Sequence, residues 1–482
     1  MQYSHTLAQF AAELQYQQIP SAVIERCRAL FLDTLGSIYA GSTARAVQTI
    51  KNIALSQGGQ FLVEKTSHQA SLFLPLSKQG MLPSSHTEAN SFFPATIIPA
   101  NNLQGKSQLI PSGELTTPYW AALVNAAAAH MVEQDDLHNS SVFHPACVVF
   151  PPALATAQAI NASFQDFITA CVVGYEVGIR VGEFLGRTHY QIFHTTATAG
   201  TLAAAAAVGR LLQLDTQQMQ HALGSAGTQA AGLWEFLKTA ADSKQLHTAK
   251  AAANGLMAAL LAQQGFTGAQ AIFEGEKGMG NAFSKAPDFS KLTDRLGQRW
   301  ALLETSFKYH ASCRHTHPAA DALLAIMQRH QLTAEQIQSV TAYVHQAAID
   351  VLGAVQTPQT VHQSKFSMGT VLGIVAHYGF AGLEAFDLAL HDDKIASFRQ
   401  KVHMQFDEEV DAAYPNKWLG KVSVTTTEGQ VYSSFVTDPK GDPENTLTQA
   451  ELEQKVRRLA QYQGIASESE AQTLIQWVNG LK

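Results

Sequence analysis

The stretch TATAGTLAAAAAVGRLL, residues 196–212, is dominated by alanine, glycine and threonine. Small side chains at positions i and i+4 let two helix backbones approach closely, so this composition predicts a helix at the centre of a helical bundle. Apolar residues also recur at helical spacing on both sides of the stretch. The pattern predicts further helices within residues 1–57 and at 116–134, 152–162, 164–186, 215–231 and 246–265.

The pattern changes after about residue 300. SVTAYVHQA (339–347) alternates and is rich in β-branched residues, and KVSVTTTEGQVYSSFV (421–436) predicts a hairpin that turns at Glu428-Gly429. KVHMQF (401–406) predicts another strand. Helical patterns between the strands and in the last part of the chain cover 317–330, 368–380, 385–390, 446–460 and 467–480.

These patterns predict a mainly α protein with a smaller α+β part. We expect a helical domain over 1–300, an α+β domain over 301–444 and C-terminal helices over 445–482 that rejoin the helical domain. Residues 58–115 are rich in Gly, Pro, Ser and Asn and predict loops with short strands.

Composition limits the class of protein. The 482 residues are 46% hydrophobic and 15% charged, which excludes a disordered chain. The net charge of −7 argues against a nucleic-acid partner, which requires a basic face. Four cysteines without a CxxC pair, no evident signal peptide and no clean membrane span predict a cytoplasmic protein with reduced thiols.

Four stretches concentrate groups that carry protons or charge. They are AHMVEQDDLHNSSVFHP (129–145), FHTTATAG (193–200), ADSKQLHTAKAAANG (241–255) and SFKYHASCRHTHPAAD (306–321). Lysine, arginine and histidine gathered in a net acidic protein predict a local positive pocket for a small polyanion, and helix N-termini favour carboxylates. The chain has no Walker A motif and no GxSxG elbow, so nucleotide and acyl chemistry are not indicated.

Other interpretations of these stretches remain open at this point. Divalent metal ligation is conceivable at two sets, but neither spacing matches a recognised pattern, so we expect no metal. Aspartates at a helix end can serve as caps, a histidine before a helix can be a cap, and lysines can be surface charges. The two metal sets are Asp136, His138 and His144, and His310, His315 and His317.

The four stretches, in this order, resemble the MmgE/PrpD family, and SKFSMGTVLG (364–373) continues the match. This family includes 2-methylcitrate dehydratase, cis-aconitate decarboxylase and iminodisuccinate epimerase. The resemblance implies a large all-helical domain built from both chain ends and a smaller α+β lid domain. It also implies a cleft between them, a small di- or tricarboxylate substrate, no metal or organic cofactor, and a homodimer.

The resemblance also implies roles for individual residues. The catalytic candidates are His144, His194, Lys244 and Lys308. The resemblance also implies a role for Asp135 and Asp136 in binding the substrate or orienting His144. The residue chemistry adds three substrate-binding candidates: Arg314, His315 and Thr195. Removal of a proton next to a carboxylate needs a base with a pKa near neutral and cations facing the oxygens that gain charge, which is what these residue types supply.

The chain departs from the family pattern in three places, one of which is the segment 61–93, interpreted as an insertion. Thr370 stands where the family often has a tyrosine after FS, so Tyr309 is the alternative proton donor and decarboxylation is disfavoured. Leu137 stands where a threonine often follows the aspartate pair. We therefore favour dehydration of a 2-methylcitrate-like hydroxyacid. Epimerisation of an amino- or iminodicarboxylate, cis-aconitate-type decarboxylation and non-catalytic binding of a polyanion are the alternatives.

Overall fold

The computed structural model describes residues 2–58, 106–239 and 241–481, and helices predominate. This confirms the predicted class, mainly α with a smaller α+β part. The predicted insertion at 61–93 lies outside the described residues. The described helices are α1 Tyr3–Glu13, α2 Ser21–Gly41, α3 Arg45–Gly58, α4 Pro118–Met131, α5 Ala146–Ile160, α6 Phe164–Tyr190, α7 Thr195–Leu211, α8 Thr216–Gly227, α9 Ser243–Gln263, α10 Met279–Phe283, α11 His317–His330, α12 Gln346–Leu352, α13 Val361–Ser364, α14 Met368–Tyr378, α15 Leu383–Ala389, α16 Asp393–Arg399, α17 Glu408–Ala413, α18 Gln449–Gln461 and α19 Glu468–Gly480.

Helix α7, built from the alanine-rich stretch, is buried along nearly its whole length between α6 and α9. Two glycines make the close approach possible. A Cβ atom at Gly178 of α6 would lie 2.6 Å from the Cβ of Ala203, and one at Gly255 of α9 would lie 2.4 Å from the Cβ of Ala204. The backbones of three helices therefore meet with almost no side chain between them.

Helix α5 differs from its predicted bounds. It begins at Ala146, six residues before the predicted start at 152, and carries Pro151 and Pro152 in its interior. A proline normally marks the first turn of a helix because it cannot donate a hydrogen bond to the preceding turn. Here all but the last residue of α5 are buried, and tertiary packing outweighs the local penalty of the two prolines.

The described strands are β1 Ser107–Gln108, β2 Leu115–Thr116, β3 Leu137–His138, β4 Thr305–Ser306, β5 Ile337–Val344, β6 Val402–Phe406, β7 Gly420–Thr426 and β8 Val431–Val436. The last four form one sheet in the order β6-β5-β7-β8, in which only the β5–β6 pair is parallel. The predicted hairpin is confirmed as β7–β8, and Gly429 in its turn has a φ of 79°. Strand β5 ends before His345 because that residue caps α12.

Two large apolar cores lie side by side. The first contains α1 to α9 together with α18 and α19, so the two chain ends share one core, and the second joins the four-stranded sheet to helices such as α11 and α14. We call the part of the chain around the second core the lid. The exact domain boundaries stay predictions.

No single helix among the described residues is both long and apolar enough to cross a membrane. One sharply bent pair, α14 with α15, reaches that length and composition only when the two helices are taken together, and both contribute side chains to the second core.

A buried ion pair ties the C-terminal helices to the site described below. The ammonium of Lys455 on α18 donates to Asp33 of α2 at 2.9 Å and to the backbone carbonyl of Gln134 at 2.8 Å. Both charged side chains are almost completely buried. Gln134 in turn donates from its side-chain amide to the carbonyl of His310 at 2.7 Å. The chain end thus supports the segment that follows α4.

We predict that Lys455→Met lowers the free energy of unfolding by about 3–5 kcal/mol, because it leaves the Asp33 carboxylate buried without its partner. The double variant Lys455→Met/Asp33→Leu should recover most of this loss, because it removes both charges at similar volume. Urea denaturation of the two variants checks this. Equal losses in the single and the double variant would contradict it.

Candidate active site

A small cavity lies where the helical bundle meets the lid. Its walls come from α4 to α9 and their loops on one side and from the lid on the other. Charged and imidazole groups line one part, and aromatic and aliphatic side chains line the rest. The lining residues are Glu133, Leu137, Val142, His144, Tyr190, His194, Trp234, Lys244, Cys313, Arg314, His315, Val351, Phe366 and Trp418.

Glu133 lies at the centre of the charged part. Its backbone, two residues beyond α4, has a φ of 59°, a left-handed conformation that is unusual for a residue with a side chain. This conformation directs the carboxylate to two ammonium groups: it accepts from Lys244 and, at 2.9 Å, from Lys308. Burial alone would raise the pKa of Glu133, but Lys244 and Lys308 together hold it well below its usual range.

Three side chains close to Glu133 form a second cluster. The Nδ1 atom of His130 lies 2.6 Å from the carboxylate of Asp135, and the Nδ1 atom of His144 lies 3.5 Å from the same oxygen. Burial opposes ionisation of Asp135, but His130 and His144 hold its pKa well below the usual range. Asp135 is therefore a buried carboxylate placed against the Nδ1 atoms of two imidazoles.

The proton of His144 has a defined position. Its Nδ1 atom lies 2.6 Å from the backbone carbonyl oxygen of Asp136, which can only accept, so Nδ1 carries the proton. The Nε2 atom then offers a lone pair. Burial lowers the pKa of His144 to about 3, in spite of Asp135, so the ring is neutral at physiological pH. This pKa lies below the near-neutral value expected of the base, because the ring is buried; His144 is a neutral imidazole with a free lone pair next to the cavity.

His194 occupies the N-cap position of α7, but its side chain makes no capping hydrogen bond. Its ring stacks on His130 at a centroid distance of 5.6 Å and packs on Trp234 at 4.7 Å. Its Nδ1 atom lies 3.3 Å from Nδ1 of His247. Burial is the main cause that lowers the pKa of His194, and the neighbouring His130 and His247 lower it further, so that it lies well below its usual range. His194 is thus another neutral imidazole at the cavity.

The cations predicted to hold carboxylates are themselves paired. Lys244 lines the cavity and contacts Glu133, whereas Lys308 lies behind Glu133 and is not a lining residue. Arg314 lines the cavity and is paired with Asp442, which follows β8. The lid also supplies His315, whose ring is stacked on Trp418 at 4.8 Å.

Three further predicted residues lie outside the cavity wall. Asp135 stands behind the two imidazoles, and Thr195 is buried at the first turn of α7. Asp136 accepts from the Tyr175 hydroxyl at 2.8 Å and from the Ala146 amide at 2.9 Å. Burial holds the pKa of Asp136 well above its usual range. Its carboxyl fixes the start of α5, and only its backbone carbonyl orients His144.

Neither metal set considered from the sequence comes together in the described residues. His138 contacts Ser141 and Glu304 instead of His144, and Nδ1 of His310 accepts from the Ala381 amide. Two other groups have ligand atoms within 4.8 Å of one another: His130, Asp135 and His144, and His138, Glu183 and Glu304. The carboxylates of the second group are bridged by Arg299. The expected absence of a metal stays a prediction.

Several cavity residues escaped the sequence analysis. Glu133 lies in a quoted stretch but received no role, since nothing in the sequence marks its left-handed backbone. Tyr190 and Trp418 come from segments without any motif. Thr370 is buried in α14, the ring of Tyr309 packs on Phe380, and neither residue lines the cavity. Tyr190 does line the cavity.

This combination of a helical bundle, a lid and a cavity of lysines and neutral imidazoles agrees with two family models. The MmgE/PrpD N-terminal domain matches residues 5–72 and 81–292, and the MmgE/PrpD C-terminal domain matches residues 310–481. The chain therefore belongs to the MmgE/PrpD family.

Individual relatives carry narrower names. A cis-aconitate decarboxylase-like protein of Aspergillus oryzae is 28% identical over 71% of this chain and 76% of its own length. The cis-aconitate decarboxylase of Aspergillus terreus is 24% identical over 90% of this chain and 84% of its own length. The human cis-aconitate decarboxylase is 26% identical over 70% of this chain and 72% of its own length.

We predict that Glu133→Gln lowers the free energy of unfolding at pH 7 by about 3–5 kcal/mol, because two buried ammonium groups lose their shared partner. The pKa of Glu133 is lower in the folded than in the unfolded chain. Its contribution is therefore present above the unfolded pKa, about 4.3, and is lost as the pH falls towards the folded pKa.

Urea denaturation of both proteins between pH 7 and pH 3.5 measures this difference. The difference in the free energy of unfolding between wild type and Glu133→Gln should be constant from pH 7 down to about pH 5 and should become smaller below pH 5. A difference that stays constant over the whole range would mean that the Glu133 carboxylate is not stabilised by the lysines.

Proposed function

We propose that this protein is a lyase that acts on a small di- or tricarboxylate at a carbon next to a carboxylate. One observation carries the proposal. The neutral ring of His144, with its lone pair free, shares a cavity with the ammonium group of Lys244, which already binds the carboxylate of Glu133. The family membership and the lyase names of the relatives support the same class.

Carboxylate recognition follows from the charges of the wall. Glu133 demonstrates that a carboxylate between Lys244 and Lys308 is well accommodated. A substrate carboxylate near Lys244 and Arg314 meets the same kind of donors, and charge that develops on its oxygens during the reaction is stabilised by them. The aromatic and aliphatic part of the wall lowers the local dielectric constant, which strengthens these interactions.

Decarboxylation of cis-aconitate or a close analogue is the reaction we place first. The carbon–carbon bond to one carboxylate breaks, carbon dioxide leaves, and the electron pair stays on the substrate as a carbanion conjugated with a remaining carboxylate. A donor then supplies one proton to carbon. The argument against this reaction was the missing tyrosine at Thr370, but Tyr190 lines the cavity and burial holds its pKa well above the usual range, so it keeps its proton.

Dehydration of a 2-methylcitrate-like hydroxyacid is the second candidate. It needs a base to remove a proton next to a carboxylate and an acid to protonate the departing hydroxide. The lone pair of His144 and the ammonium of Lys244 are the matching groups, which is the observation that keeps this reaction in consideration.

Proton NMR in deuterated water separates the candidates. The purified protein, dialysed against a chelator, is mixed in separate tubes with cis-aconitate, 2-methylcitrate, citrate and iminodisuccinate. Loss of carbon dioxide with deuterium in the product establishes a decarboxylase, and a new alkene signal from a hydroxyacid establishes a dehydratase. Deuterium entering an α-position without a new product indicates an epimerase. No change in any tube, with binding detected by calorimetry, would refute the proposal and favour a polyanion-binding protein.

We expect His144→Asn and His194→Asn each to lower turnover about 100-fold or more, with unchanged thermal stability. An asparagine amide at 144 can still donate to the Asp136 carbonyl but has no equivalent of the Nε2 lone pair. His330→Gln on α11, whose ring stacks on Tyr432 in the lid, is the matched control and should retain full activity. Full activity in His144→Asn would remove this residue from the mechanism.

The pH dependence provides an independent check. Because burial lowers the pKa of His144 to about 3, its base form is complete throughout the range in which an exposed histidine titrates. The profile of kcat/KM should therefore have no acid limb near pH 6.5. A limb at that pH, absent from His144→Asn, would indicate that this ring is exposed to solvent in the working enzyme.

A further inference from the structure

Two histidines on the lid side of the cavity take no part in the chemistry above. His315 lines the cavity, and His345 lies behind it as the N-terminal cap of α12. The Nδ1 atom of His315 and the Nε2 atom of His345 are 3.4 Å apart. Each ring is held by an aromatic neighbour: His345 stacks on Tyr414 at 3.8 Å, and His315 stacks on Trp418 at 4.8 Å.

The direction of the bond between the two rings is determined by the cap. The backbone N–H of Ala348 donates to Nδ1 of His345 at 3.2 Å. A ring nitrogen that accepts a hydrogen bond carries no proton, so the proton of neutral His345 is on Nε2. That nitrogen must donate to Nδ1 of His315, because a ring that accepts at both nitrogens would be an anion. His315 therefore carries its own proton on Nε2, the edge left free for the cavity.

The surroundings keep both rings neutral. Burial lowers the pKa of His345 to about 3, although Asp411 opposes this effect. Burial and the neighbouring His345, Lys308 and Lys244 hold the pKa of His315 well below its usual range. Protonation therefore does not disturb the chain of hydrogen bonds at physiological pH.

We propose that His345 is a positioning residue that fixes the tautomer of His315, so that His315 presents an Nε2–H donor to a carboxylate oxygen of the substrate. The tautomer follows from the hydrogen bonds between two neutral rings, whereas the carboxylate acceptor rests on the proposed function. His315 and His144 then present opposite groups to one cavity, a proton from the lid and a lone pair from the helical bundle. His315 is thus a binding donor rather than a second base.

Two variants of His345 separate capping from tautomer control. Asparagine is among the best N-terminal caps, so His345→Asn keeps an acceptor for the Ala348 amide, but its side chain is too short to reach His315. His345→Ala loses both contacts. Capping alone predicts a normal His345→Asn protein and a destabilised His345→Ala protein. Tautomer control predicts that the His315 ring is no longer restricted to one tautomer in either variant.

The tautomer is read directly by long-range proton–nitrogen NMR of the full-length, histidine-labelled protein, with the His315 signals identified by their absence from His315→Gln. We expect a protonated Nε2 and an unprotonated Nδ1 in the wild type, and a mixture of tautomers in both His345 variants. A wild-type ring protonated at Nδ1, or an unchanged tautomer in His345→Asn, would overturn the proposal.

The binding role is measured separately with tricarballylate, a saturated tricarboxylate that cannot react. Calorimetry at pH 7.5 should give about five- to tenfold weaker binding to both His345 variants, because the His315 donor is no longer fixed. Wild-type affinity in His345→Asn would overturn the carboxylate-donor role. Absence of binding to the wild type would refute the proposed function instead, and the NMR result on the tautomer would still stand.

Discussion

The buried carboxylate of Glu133 is the constraint on which the site depends. It holds Lys244 from α9 and Lys308 from the segment after β4, two residues far apart in sequence, at one point beyond α4. A buried charge without a partner is very costly, so the segments that carry Glu133, Lys244 and Lys308 are stable only when they are packed against one another. The unusual backbone conformation of Glu133 is maintained by this requirement and by the anchors on both sides: Lys365 donates to the carbonyl of Val132, and Lys455 to that of Gln134.

Desolvation determines the protonation of the imidazoles around this carboxylate. A histidine exposed to water has a pKa close to neutral pH. His144, His194 and His315 are buried, and burial lowers their pKa values. They work as neutral hydrogen-bonding groups, and their proton positions are set by what their other nitrogen contacts. A backbone carbonyl defines His144, and a capping histidine defines His315. The charged groups of the site are therefore lysine, arginine and carboxylate side chains.

Much of this organisation could be predicted from the sequence, because the helical spacing, the alanine-rich stretch and the Glu428-Gly429 turn are local signals. His144, His194, Lys244, Arg314 and His315 were also found, since they lie in stretches dense in charge and imidazole, and all five line the cavity. The start of α5 was misplaced because local rules for proline were overridden by burial. The contact of Glu133 with two lysines, the different tasks of Asp135 and Asp136, and the presence of Tyr190 depend on long-range packing, which no local pattern encodes.

The close contact of α7 with Gly178 and Gly255 also bears on how this protein can change over time. Because an added methyl group at either glycine would collide with an alanine of α7, the helices that carry His194 and Lys244 tolerate little variation in their interior. The lid has comparable contacts of its own, since a Cβ atom at Gly420, close to Trp418, would collide with the backbone carbonyl of Pro318 on α11. Both walls of the cavity therefore rest on backbone contacts that leave no room for a larger residue, so changes compatible with the fold fall on the side chains that face the cavity.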